Sequence, residues 1–343
     1  MKALVLKEYN RFEYEDVPDP VVGPASVLIQ VKACGIRGSD VHGMDGSTGR
    51  RIPPVIMGHE ASGVVVETGA NVAAWRTGDH VTFDSTIYCG TCPFCRRGQI
   101  NLCDNRRVLG VSCGEYRQNG AFAEYVAVPE HILYRLPEGL SFEQAAMVEA
   151  VSIAVHAVGR TRIALDDGAL VVGAGTIGLL VVQALRAAGC GRIVAVDLSQ
   201  ERLDLACDLG ADCGVRADSE DVSSTVRSTV GPSGADVAFE AVGLQETLQT
   251  ALSGLRKGGS LVLIGNLSRS VALPLQEVVT KELSLYGSCA SCGEYQACLD
   301  LIARGTIRVD GLISAVVPLA EGASWFEKLR KPDSGLMKVI LVP

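Results

Sequence analysis

The sequence predicts an α/β chain of two domains, one mostly β and one built on a doubly wound parallel sheet. Three observations carry that expectation. At 343 residues the chain is long for one folded domain and comfortable for two. Short apolar runs separated by Gly and Pro turn signals fill the first 150 residues. The third observation is the stretch 168–197. An apolar run at 169–172 leads into Gly173-Ala174-Gly175-Thr176-Ile177-Gly178, and helix-compatible residues continue to Ala188. Gly189 can stop that helix, and 192–196 reads as a second strand ending in Asp197. Strand, glycine turn, helix, strand and terminal acid are, in order, the parts of a dinucleotide-binding βαβ unit.

In chain order, residues 3–6 and 27–31 read as strands, separated by the turn signals Pro18, Pro20 and Gly23-Pro24. Strand patterns follow at 63–67, 79–83 and 121–128. From about Phe142 the pattern turns helical and runs into the 168–197 unit. Strand and helix then alternate, with helices at 202–209 and 246–255 and strands at 236–240, 260–265 and 282–287. A helix at 295–304 and strands at 313–317 and 337–342 form a tail expected to return to the first domain. The predicted division is therefore 1–150 with 291–343 against 151–290, with no internal repeat or low-complexity linker.

Within the glycine turn, Gly173 permits the tight bend, Gly175 lets backbone approach a pyrophosphate, and Gly178 lets helix pack on strand. Thr176 and Ile177 open the helix, whose free N–H groups and positive dipole end suit phosphate. A carboxylate at Asp197 accepts hydrogen bonds from ribose hydroxyls and repels a 2′-phosphate, and Leu198 and Ser199 offer no cation to offset it. NAD is therefore expected over NADP.

Composition narrows the partners. A net charge of −8 argues against nucleic acid or an anionic membrane surface. The opening MKALVLKEYN is too short in apolar residues for a signal h-region, and no run of about 18 apolar residues is present. Twelve cysteines, partly clustered at metal spacing, suit a reducing cytoplasm better than a disulfide scaffold. The cluster is Cys89-x2-Cys92-x2-Cys95-x7-Cys103. Four thiolates satisfy Zn²⁺ as a closed tetrahedral site, so one structural zinc per chain is expected there, replacing a core that this loop is too glycine-rich to form. Arg96 and Arg97 partly offset the charge of a tetrathiolate zinc.

Gly58-His59-Glu60-x2-Gly63-x5-Gly69-x2-Val72 matches the signature of zinc-containing alcohol dehydrogenases. With the cysteine lobe and the Asp197 unit, the chain resembles the medium-chain dehydrogenase/reductase superfamily over nearly its whole length, and most of all its polyol branch (sorbitol and sugar-alcohol-phosphate dehydrogenases). The resemblance implies a GroES-like catalytic domain, a Rossmann domain, NAD(H) and homodimers or homotetramers. It also implies a catalytic zinc held by a cysteine in Gly-Ile-Cys-Gly-Ser-Asp-x-x-His or a near variant, by His59, and by Glu149, with Glu60 beside them. Here that stretch reads Gly35-Ile36-Arg37-Gly38-Ser39-Asp40-Val41-His42. Ser39 and His42 match the family's proton relay to solvent, and Arg202 the arginine over the adenine.

Arg37 stands where the ligand cysteine would be, and arginine neither deprotonates nor donates a lone pair. Cys34 is expected to point to the opposite face of an extended segment. By themselves His59, Glu60 and Glu149 would make a three-ligand open site. One expectation is Arg37 paired with Glu60 or Glu149 in a metal-poor pocket; the other is Arg37 swung outward beside a weakly held second zinc. Arg106, Arg107 and Arg117 either meet a phosphorylated substrate or face solvent. The resulting reading is an NAD-dependent oxidoreductase interconverting a secondary alcohol of the polyol type and its ketone. Its alternatives are a zinc-free medium-chain reductase acting on C=C or C=O, a non-catalytic NAD-binding relative, and a family member inactivated at Arg37.

Overall fold

Two units divide the chain in the computed structural model, which describes residues 1–218, 222–331 and 335–343. The first comprises Met1–Glu149, Tyr295–Arg304 and Val309–Pro343, and the second Ala150–Glu294 and Gly305–Arg308. Ala150 and residues 291–294, expected in the first domain, belong to the second. Hydrogen bonding explains the boundary: Glu294 lies 2.7 Å from His156 Nδ1 and also accepts from the Cys292 amide. Arg308 is held in the second unit by a two-way exchange with the Gln183 side chain, at 2.7 and 3.0 Å.

Among the described residues the first unit has a seven-stranded sheet and a smaller three-stranded one, with a separate two-stranded pair of Thr86–Ile87 and Arg107–Val108. The long strand Ser26–Ile36 is the spine of the larger sheet. It pairs antiparallel with Glu60–Thr68 on one side and with Tyr125–Pro129 and Lys338–Val342 on the other. Its first half alternates partly exposed and buried side chains, as a one-faced sheet requires, and its last four residues are all buried. Leu4, Leu6, Ile29, Val65, Phe83, Phe122 and Phe326 lie in the apolar core. The smaller sheet contains the strand Arg11–Asp16 paired to Lys2–Glu8, which the sequence reading missed because its residues, RFEYED, are mostly polar.

The second unit is an open six-stranded parallel sheet, matching the expected doubly wound class. From edge to edge it runs Cys213–Arg216, Ile193–Asp197, Ala169–Val172, Ala235–Glu240, Leu255–Leu263 and Ser284–Gly287. Numbered by their succession in the chain these strands lie 3-2-1-4-5-6, so order reverses between Ala169–Val172 and Ala235–Glu240. Ala169–Val172, in the middle of the sheet, is buried along its whole length, which is why 169–172 reads as continuous apolar sequence rather than alternation. The Leu255–Leu263 strand starts earlier than the expected 260. The Leu275–Thr280 and Val222–Val230 helices were not anticipated.

Gly173 and Gly178 set the turn after the first of these strands. Gly173 adopts φ +95°, open to glycine at little cost. A Cβ on Gly178 would lie 1.7 Å from the Gly173 carbonyl oxygen, so only glycine lets the Thr176–Ala187 helix start this close to the strand. Gly178→Ala is expected to destabilise the second unit by about 1–3 kcal/mol through overpacking, read as a lowered urea midpoint. Gly175→Ala is the control. Its Cβ meets no atom within 4 Å, so the midpoint should move by less than about 1 kcal/mol.

Candidate functional site

The residues of interest form three clusters, two in the first unit and one in the second. The cysteine lobe is the simplest. Cys92 caps the single turn Pro93–Arg96, with proline at the first helical position. The ligand atoms of Cys89, Cys92, Cys95 and Cys103 all lie within 4.8 Å of one another. Backbone amides turn inward to the sulfurs: Cys89 N donates to Cys103 Sγ at 3.3 Å, Cys92 N to Cys89 Sγ at 3.4 Å and Cys95 N to Cys92 Sγ at 3.5 Å. Donors on Thr91 and nearby amides draw the Cys89 thiol down to about 5, whereas desolvation and the neighbouring thiols push Cys95 up to about 12. Four sulfurs so close ionise together only around a cation, so the donor set fits a closed zinc site. Among the described residues no other group of three or more His, Cys, Asp or Glu side chains converges in this way.

The second cluster lies at one end of the large sheet. Gly35 faces Glu60 across one strand pair and Ile340 across the other, so Arg37, Glu60 and Lys338 arrive together from distant parts of the sequence. A Cβ on Gly35 would sit 2.6 Å from Glu60 Oε2; the glycine makes room for that carboxylate. Arg37 Nη1 donates to Glu149 Oε1 at 2.5 Å, and its Nε lies 3.8 Å from Glu60 Oε1. Lys338, itself buried, donates to Glu60 Oε2 at 2.5 Å. Asp40, in the helix Gly38–Gly43, is fully buried; it accepts from Arg51 Nη2 at 2.9 Å and from the Arg37 amide at 3.2 Å. His59 Nδ1 stands 3.4 Å from the same carboxylate.

Electrostatics follow from that pairing. Burial alone would raise the Asp40 carboxyl, but His59 and Arg51 overcome it and hold it far below the usual range. Glu60 is lowered likewise, Lys338 and Arg37 outweighing its burial. Glu149 is pushed up to about 7 by burial and by the Glu60 carboxylate, despite Arg37. The structure thus brings Arg37, His59, Glu60 and Glu149 together, with Arg37 inside rather than outside. Cys34 is buried in its strand and its thiol is raised well above normal, mainly by burial, so it offers no thiolate. The donor set does not fit a second zinc, because both candidate carboxylates already carry cations.

Ser39 and His42 lie exposed on the short helix that follows Arg37. Arg107 and Arg117 are also exposed, whereas Arg106 bonds the Asn101 carbonyl at 2.8 Å. The sequence reading missed Lys338 and Tyr295. Tyr295 is fully buried, its ring stacked on Tyr134 at 5.0 Å and its hydroxyl without a hydrogen-bond partner among the described residues. Lys338 is 278 residues from Glu60, so no local pattern announces the pair.

The third cluster is the glycine turn. It sits at the carboxyl end of the first parallel strand, where the strand order reverses and α/β sheets receive ligands. The Thr176–Ala187 helix has no side-chain cap on Gly175, leaving its first N–H groups for a ligand, and a side chain at 175 would enter open space there. Asp197 closes the neighbouring strand; its carboxylate accepts from Ala174 N at 2.7 Å and Ser199 N at 3.0 Å. Arg202 Nη1 is 3.9 Å from it. This cradle fits a dinucleotide.

Comparison with known proteins identifies relatives of both units. Residues 23–138 match the alcohol dehydrogenase GroES-like domain, and 176–304 the zinc-binding dehydrogenase domain. The chain is 30% identical to a sorbitol dehydrogenase of Bacillus subtilis, covering 100% of this chain and 97% of that protein. It is 34% identical to an L-idonate 5-dehydrogenase of Vitis vinifera, covering 86% of this chain and 81% of that one. The crystal structure of galactitol-1-phosphate dehydrogenase from Escherichia coli superposes with a TM-score of 0.91 at 26% identity, covering 100% of both chains. With a GroES-like first unit, a Rossmann second unit and relatives of this identity along its whole length, the chain belongs to the zinc-binding alcohol dehydrogenase family of medium-chain oxidoreductases.

Proposed function

We propose that this protein is an NAD-dependent oxidoreductase that interconverts a secondary alcohol of the polyol type and its ketone. The observation that carries the reading is the glycine turn at the strand-order reversal with Asp197 on the adjacent strand; relatives named as sorbitol and L-idonate dehydrogenases supply the substrate class. NAD, when bound, supplies nicotinamide C4 as the hydride acceptor.

The chain's own part is to bind, orient and move a proton. Gly173, Gly175, Thr176, Ile177 and Gly178 hold the pyrophosphate through backbone N–H groups at the helix start. Asp197 takes the ribose hydroxyls and Arg202 lies against the adenine. Ser39 and His42 carry the alcohol proton to solvent, a role suited to a hydroxyl and an imidazole exposed on one short helix. Cys89, Cys92, Cys95 and Cys103 hold the structural zinc, which ties down a loop with little apolar content. The working form is a cytoplasmic homodimer or homotetramer. Among the described residues no helix is long and apolar enough to cross a membrane.

The decisive experiment is NADH formation from NAD⁺ with a panel of polyols, sugar acids and their phosphates, beside an enone panel with NADH. Turnover of at least one secondary alcohol is expected; turnover of enones alone overturns the reading. NADH should bind more tightly than NADPH in a fluorescence titration. Asp197→Ala should weaken NADH about tenfold or more, closing the gap, as expected for lost hydrogen bonds to a charged group. Equal affinities in the parent would remove that role from Asp197. For the lobe, Cys92→Ser and Cys103→Ser should each lose the zinc that the parent keeps through dialysis. Retention of that zinc in both variants would show that it sits elsewhere.

A further inference from the structure

The buried end of the large sheet carries three carboxylates and gives each its own cation: Asp40 to Arg51, Glu60 to Lys338 and Glu149 to Arg37. Leaving His59 aside, the set is neutral with all three acids ionised and positive if Glu149 takes a proton. A divalent ion placed among them would therefore bring two uncompensated positive charges beside largely buried carboxylates that already have cations, an arrangement that costs far more than a surface charge. Exposure is divided unequally within the set. The side chains of Glu60 and Glu149 are 0% and 8% exposed, whereas Arg37 is 23% exposed. Its Nη2 has no hydrogen-bond partner among the described residues. The charged group that this pocket shows to an incoming molecule is thus a guanidinium.

We propose that ion pairing has replaced the catalytic metal in this chain: the pocket of His59, Glu60 and Glu149 stays free of zinc while the cysteine lobe is filled, and Arg37 is the catalytic cation, donating to the oxygen of the reacting alcohol. The role given to Arg37 in turnover rests on the alcohol-oxidising reading above; the metal count does not. In the step itself the carbinol carbon passes hydrogen with its bonding electron pair to nicotinamide C4, the hydroxyl proton leaves to solvent, and the carbon–oxygen bond becomes a carbonyl. NAD⁺ is reduced, the alcohol is oxidised, and no further oxidant is needed. Arg37 stabilises the negative charge that builds on oxygen as the proton departs, with Glu149 fixing the guanidinium from behind.

Charge predicts how the pocket responds to one substitution. Arg37→Cys removes a cation and adds a potential thiolate, taking the set from neutral to a net charge of −2, which matches Zn²⁺ and restores a soft ligand beside His59.

The test measures zinc per chain in the full-length protein after incubation with excess zinc and dialysis, for the parent, Arg37→Cys, Arg37→Lys and Arg37→Met. About one equivalent is expected in the parent and Arg37→Lys, and about two in Arg37→Cys, from the closed-site and charge arguments. A parent that retains two equivalents overturns the proposal even if no variant folds. An Arg37→Cys protein that folds and gains no second zinc overturns the charge argument. On any alcohol the parent oxidises, turnover should survive a zinc chelator, and that of Arg37→Cys should not. Arg37→Met should lose roughly 10²–10³-fold in kcat, as for removal of one donor to a developing oxyanion, with partial rescue in Arg37→Lys and unchanged NADH affinity. Parent activity that chelator abolishes and zinc restores would refute the assignment. Absence of turnover on every alcohol would instead refute the functional reading, and the zinc count would still decide the metal question.

Discussion

Burying a carboxylate without a cation is among the most costly arrangements in a protein interior, and the first unit is arranged around meeting that demand three times. The register of one strand does most of it. Ser26–Ile36 pairs with Glu60–Thr68 on one edge and Lys338–Val342 on the other, so Gly35 stands between an acid and the strand that delivers its base. Shifting either pairing by one residue would turn Glu60 or Lys338 to the opposite face and strand a charge. The buried pairs thus resist register errors in a sheet whose apolar residues alone would tolerate them less selectively. The same geometry fixes Arg37, which leaves the spine strand just beyond its last paired residue.

In the second unit the governing constraint is steric rather than electrostatic. The helix after the first parallel strand starts so close to the turn that a methyl group at 178 would overlap the Gly173 carbonyl. That closeness leaves the helix N-terminus uncapped by side chains, directly beside Asp197 on the neighbouring strand. Backbone N–H groups and one carboxylate are thereby presented together, both anchored in fully or nearly fully buried strands of the sheet.

Features encoded within a few residues were readable from the sequence. Both the spacing of Cys89, Cys92, Cys95 and Cys103 and the Gly173-x-Gly175-x-x-Gly178 turn lie on short segments, and their local geometry is nearly dictated by composition. The central strands Ala169–Val172 and Ile193–Asp197 were legible because burial along nearly their whole length leaves almost uninterrupted apolar runs. Elements without such a signal were missed: the polar strand Arg11–Asp16, the Val222–Val230 helix with one fully buried residue, and the short Leu275–Thr280 helix with none. In the charged pocket the sequence pointed to Arg37 and to the acids that were candidates to receive it. It could not show Lys338. A pair separated by 278 residues exists only through the sheet, and a lysine near a final apolar strand looks like any solvated charge.

The first unit is discontinuous in the chain, and this has a consequence for its biosynthesis. Lys338–Val342 sits inside the large sheet, between Ser26–Ile36 and Ile313–Pro318, yet it follows the whole of the second unit in sequence. During translation the Rossmann unit emerges as an almost unbroken segment and can close while the ribosome is still at work. The earlier β unit must wait with the end of its spine strand, residues 34–36, unpaired on one side and Glu60 lacking its lysine. That nascent edge is open to chaperones, and to unwanted strand partners, until the last strand arrives.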